Sequence, residues 1–131
     1  MDTNVLVFDT YEDSELHEQA RKKLEEVEGW ILPGIVVHEY VWALRGLKAR
    51  LSFAREKVEE YLLSEKTTYS ADTQDDMLFA TRGASSFSRY NDYLILSHAK
   101  RIGGSLMTFD DDLKRDAQKV GVRLSNDRSS S

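Results

Sequence analysis

Cysteine is absent from the 131 residues, proline occurs once and glycine seven times. Without cysteine there is no disulfide, no zinc–thiolate site and no thiol nucleophile, which fits a reducing cytoplasm. So little punctuation predicts a chain dominated by helix. Long apolar runs are missing too. Stretches such as Tyr93-Leu94-Ile95-Leu96 and Tyr40 to Leu44 are far too short to span a bilayer, so no membrane partner is expected. The N-terminus reaches Asp2 at once, without a basic-then-apolar segment, and no secretory leader is expected. An excess of cations is also lacking. Lys and Arg total 18 against 23 Asp and Glu, a formal net of −5, which argues against attachment to nucleic acid by a basic field alone.

What is present is enough for one compact core, with hydrophobic residues at 40% and charged residues at 31%. Residues 13–28 read as an amphipathic helix, with Asp13 or Ser14 as N-cap and Leu16, Ala20, Leu24 and Val27 on one stripe. Trp30-Ile31-Leu32 is a strand candidate, and Pro33 suits the opening of a helix over 34–45. Further helices are expected over 48–64, 73–83, 91–102 and 111–120, with short strands at 67–71, 105–109 and 122–124. Gly103-Gly104 should end its helix in a left-handed cap. Strands alternating with helices predict a three-layer α/β/α domain over 1–124 with a mainly parallel central sheet, and a polar, frayed tail over 125–131.

Two acids stand where a helix would normally place apolar groups. Asp92 shares a face with Ile95, Leu96 and Ala99, and Glu39 is flanked by Ile35, Val36, Trp42 and Ala43. A buried carboxylate needs a cation, a donor or its own proton. The plain reading of each is a half-exposed acid paired with arginine or with a helix N-terminus. Asp110 follows an apolar strand and opens a helix, a position where sites gather in parallel sheets, although Asp110, Asp111 and Asp112 also suit a helix cap.

Taken in order, these segments resemble a family. Asp2-Thr3-Asn4-Val5-Leu6 is similar to the opening motif of PIN-domain nucleases, and Glu39 falls where the family's second acid does. Asn91-Asp92-Tyr93-Leu94-Ile95 with Ala99-Lys100-Arg101-Ile102-Gly103 resembles the third acidic segment. Leu106-Met107-Thr108-Phe109-Asp110-Asp111-Asp112-Leu113 resembles the closing strand and acidic turn. The likeness is strongest to the compact, VapC-like toxin ribonucleases. One departure stands out: the family has an apolar central strand ahead of its first Asp, and here only Met1 precedes Asp2, so that strand is expected to be truncated or to begin further upstream.

The resemblance implies a metal-dependent endoribonuclease. Carboxylates from distant segments suit a hard cation, Mg²⁺ or Mn²⁺. Asp2, Glu39, Asp92 and Asp110 would hold it, with Asp112 as a further ligand or a helix cap, and Asn4 and Thr108 would position these groups. Arg45, Lys48 and Arg50, in a basic stretch that continues to Arg55 and Lys57, would face the RNA, with Arg82, Arg89 and Lys100 as weaker candidates. A homodimer and a small antitoxin partner are also implied, with Val41, Trp42, Leu44 and Leu47 as either interface or core. The alternative is a catalytically silent PIN-like scaffold that binds RNA or protein. His17, His38 and His98 show no metal-ligand spacing, and no nucleotide or serine-hydrolase motif is present.

Overall fold

The computed structural model describes residues 1–125, so the tail expected over 125–131 lies outside the described residues from 126 onward. The chain is a mixed α/β fold. Its elements are α1 (Thr3–Thr10), α2 (His17–Glu26), β1 (Trp30–Pro33), α3 (Gly34–Gly46), α4 (Leu51–Leu62), β2 (Thr67–Ser70), α5 (Gln74–Gly83), α6 (Tyr90–Ile102) and α7 (Asp111–Val120). No helix among the described residues is long and apolar enough to cross a membrane.

β1 and β2 pair in parallel with Trp30 opposite Thr67, and α3 and α4 supply the crossover that a parallel pair requires. The expected strands at 105–109 and 122–124 shrink to one parallel bridge between Leu106 and Leu124. The reason is a shortage of partners. Leu106 exchanges bonds with Arg123 and Ser125, but on its other side the segment meets, among the described residues, the backbone of Asp2 alone, whose N–H donates to the Met107 carbonyl at 3.0 Å. Met1 in turn reaches the Ile31 carbonyl through its ammonium group at 3.4 Å. Residues 1 and 2 therefore knit the β1–β2 pair to the 106–124 bridge, without forming a strand of their own.

The sequence does not mark α1 as a helix, because its eight residues include the β-branched Val5 and Val7 and offer too little length for a helical period. It forms because Val5 and Leu6 bury fully against the core, with α2 and α3 packed over it. α2 starts at His17 rather than Asp13, since the Ser14 hydroxyl donates to the Phe8 carbonyl and closes the end of α1 instead of capping α2. α6 is the central helix: Tyr93 to Ala99 are all buried, with α5 and α3 among its neighbours. It ends at Gly103, whose φ of 82° is the left-handed cap expected there.

Candidate active site

Asp2 and Asp110 are the N-caps of α1 and α7, Asp92 lies in the first turn of α6 and Glu39 in the second turn of α3, and hydrogen bonds run between their segments. Asp2 is the N-cap of α1, yet its carboxylate caps nothing. It accepts instead from the fully buried Thr108 hydroxyl at 2.8 Å. Thr108 Oγ1 also accepts the Asp110 N–H at 3.0 Å, so one hydroxyl ties Asp2 to Asp110. Glu39, in α3, accepts from the Thr3 hydroxyl at 2.6 Å and from the Asn91 amide at 3.0 Å. Thr3 follows Asp2, and Asn91 precedes Asp92. Each oxygen of Glu39 is thus held by the neighbour of another acid.

The charges bear on one another. The Asp92 carboxyl is pushed up to about 6 by burial, with the Arg89 guanidinium opposing and the charges of Asp2, Asp110 and Glu39 adding to the rise. Burial likewise raises Asp2 above the ordinary carboxylate range, against the pull of the Thr108 hydroxyl and the Met1 ammonium. Arg89 stands between two acids: Nη1 lies 2.8 Å from Asp92, and Nε and Nη2 both hold Asp116. Asp110 caps α7 through one oxygen, which accepts from Asp112 N–H at 2.8 Å and Leu113 N–H at 3.3 Å. These groups are all oxygen and carry more acid than nearby cation, a composition that fits a hard divalent ion, but among the described residues no three of the four bring ligand atoms within 4.8 Å of one another.

Other predicted residues fall differently. Asn4 is exposed and has no hydrogen-bond partner among the described residues, and the positioning groups on Glu39 belong to Thr3 and Asn91. Asp112 is exposed and pairs with Arg115 one turn along α7. Arg45, Lys48 and Arg50 are exposed and meet no carboxylate among the described residues. Arg89 is engaged by acids rather than open to a polyanion, and Lys100 donates to the Val120 carbonyl at 2.7 Å. Leu44 is fully buried core, whereas Trp42 and Leu47 are exposed. Asp116, which grips Arg89, was not singled out; its spacing of four from Asp112 gave no reason to separate it from a solvated helix face.

A second polar cluster lies past the end of β2. Asp72, Asp76 and His98 offer ligand atoms within 4.8 Å of one another. The Asp76 acceptors are already spent, on Arg101 at 3.1 and 2.8 Å, the Ser97 hydroxyl at 2.7 Å and the Thr73 N–H at 2.8 Å. His98 is held by Ser70 at 2.7 Å and by Asp72 at 2.6 Å. With Arg101 supplying the positive charge, the cluster is a satisfied network, buried at Asp76 and His98 and open at Asp72 and Arg101, that joins α5 to α6.

A PIN domain family model matches residues 1–119, and the chain belongs to the PIN domain family. Among solved structures, the Mycobacterium tuberculosis VapC20 toxin, which cleaves the sarcin–ricin loop, superposes with a TM-score of 0.74. The match covers 88% of this chain and 92% of that one at 16% identity, and it shows a shared fold. No curated protein sequence matches the chain.

Proposed function

We propose that the chain is a Mg²⁺- or Mn²⁺-dependent endoribonuclease that hydrolyses RNA phosphodiester bonds, and the toxin component of a toxin–antitoxin pair. The observation that carries this reading is the hydrogen-bonded seam linking the segments of Asp2, Glu39, Asp92 and Asp110, with acids in excess of nearby cations. Family membership and the fold shared with an RNA-cleaving toxin support it. A bound divalent ion would acidify water and offset charge on the attacked phosphate. The four carboxylates would hold that ion directly or through water, and one of them would orient the attacking water. Thr108, Thr3 and Asn91 act as positioning residues by fixing carboxylate oxygens. Arg45, Lys48 and Arg50 supply the positive rim that an acidic site lacks for a polyanion. Self-association and a small antitoxin belong to the same reading.

The test is incubation of the purified chain with single-stranded and structured RNAs, with Mg²⁺ or Mn²⁺ and with chelator. Metal-dependent cleavage that disappears in Asp92→Asn is the expected result. Absence of cleavage on every RNA, together with absence of metal binding, overturns the reading.

A further inference from the structure

Trp42 is 61% exposed on α3, three residues and hence about one turn beyond Glu39. Tryptophan is usually well buried, so a bare indole this close to the acids asks for a ligand. The other tryptophan, Trp30, donates its indole N–H to the Thr67 hydroxyl at 2.9 Å. The Trp42 indole has no hydrogen-bond partner among the described residues. It is backed by Arg45, whose guanidinium carbon lies 5.5 Å from the ring centroid.

Past Glu39, every charged residue from Tyr40 to Arg55 is basic. Arg45, Lys48 and Arg50 meet no carboxylate among the described residues, while Lys57, Arg89, Arg101 and Arg115 all do. The turn after α3 displays Lys48 in a left-handed conformation, φ 64°, fixed by its N–H to the Arg45 carbonyl at 2.9 Å. An exposed ring with a guanidinium beside it, followed in the chain by cations that meet no carboxylate among the described residues, is the pattern of a surface that stacks bases and tracks phosphates.

We propose that Trp42, backed by Arg45, is a stacking platform for an unpaired base of RNA, and that Lys48 and Arg50 meet the adjoining phosphates. A duplex hides its base faces, so the platform selects single strands and loops over paired RNA. Stacking is tolerant of base identity, so it confers selection for strandedness rather than for sequence. The inference rests on the RNA-cleavage reading for the kind of ligand, and goes beyond it in naming what is selected.

The test is a fluorescence titration of the full chain with a short single-stranded RNA in chelator, where cleavage is stopped. A Trp30→Phe background leaves Trp42 as the emitter. Quenching on addition of RNA is expected, with Trp42→Ala weakening binding roughly 5- to 150-fold and Trp42→Phe much less. A blunt duplex of the same length should bind more weakly and ignore Trp42→Ala. Equal affinity of wild type and Trp42→Ala for single-stranded RNA overturns the platform. So does Trp42 emission already shielded in a doubled mass by light scattering, which would assign this corner, where Leu47 and Leu51 are 54% and 65% exposed, to a second copy. Cleavage is assayed on the same preparations. RNA cleavage with binding indifferent to Trp42 sinks the platform alone, whereas Trp42-dependent binding without any cleavage sinks the nuclease reading alone.

Discussion

The Thr3 hydroxyl donates to Glu39 at 2.6 Å across 36 residues of sequence, and Thr3 is covalently joined to Asp2. A single threonine therefore ties the segments of two of the four acids together. Thr3→Val keeps the branched shape but deletes the donor, and should lower metal-dependent RNA cleavage by roughly 10- to 100-fold. The metal concentration at half-maximal rate should rise in the same variant. Thr3→Ser should restore both, and unchanged kinetics in Thr3→Val would remove Thr3 from the site.

Metal addition offers a readout that does not need a substrate. An ion that binds only the folded state stabilises it by mass action, by about 2.7 kcal/mol at a hundredfold excess over its Kd. Thermal unfolding of the wild type should shift upward with Mn²⁺ and return with chelator. In Asp92→Asn the shift should fall by at least half, because an amide is a weaker ligand than a carboxylate. Identical shifts in the two proteins would place the ion elsewhere.

The Asp76 network predicts an acid limb. Burial alone raises this carboxyl, but Arg101, the Thr73 N–H, Ser97 and His98 together hold it well below the ordinary carboxylate range. A depressed carboxylate contributes stability that is complete above its unfolded pKa of about 4 and is lost as pH falls below that value. Asp76→Asn should cost about 2–3 kcal/mol at pH 7, at the low end for a broken buried pair because Arg101 is 38% exposed and rehydrates. Denaturant titrations at pH 7 and about pH 3 should show the gap between wild type and variant narrowing in acid.

Two glycines should respond with opposite signs. A Cβ on Gly29 would lie 2.8 Å from the Lys66 carbonyl oxygen, a backbone atom that cannot move without parting β1 from β2. Gly29→Ala should destabilise by about 1–3 kcal/mol. Gly46, the last residue of α3, has nothing within 4 Å of the same position. Gly46→Ala should stabilise by about 0.5–1 kcal/mol, and urea midpoints of both variants check the contrast.

The helices were legible where a period and a stop signal coincided. α6 and α7 end at Gly103 and Gly121, both at φ 82°, as their sequences imply. α1 was not, because eight residues are too few for periodicity to separate a buried helix from a strand. Ser105 to Phe109 reads as a strand by composition, but ladder partners come from elsewhere in the chain, and a local pattern cannot count them. Three of the four candidate acids stand out in the sequence by their apolar or strand-end neighbours, and Asp2 joins them through the family resemblance. The groups that hold them were harder to see: Thr3 and Asn91 are ordinary polar residues until folding brings both to Glu39. Asp116 was hidden for the same reason, since its partner Arg89 lies 27 residues away.

The seam draws its members from both ends of the chain, with Asp2 and Thr108 separated by 106 residues. A polypeptide emerging in order from its N-terminus has Asp2, Thr3 and Glu39 long before Thr108 exists. No partial product that stops short of Thr108 can assemble the carboxylates in their final arrangement. On the nuclease reading proposed above, a chain terminated before Thr108 would carry Asp2, Thr3 and Glu39 without a complete set of carboxylates.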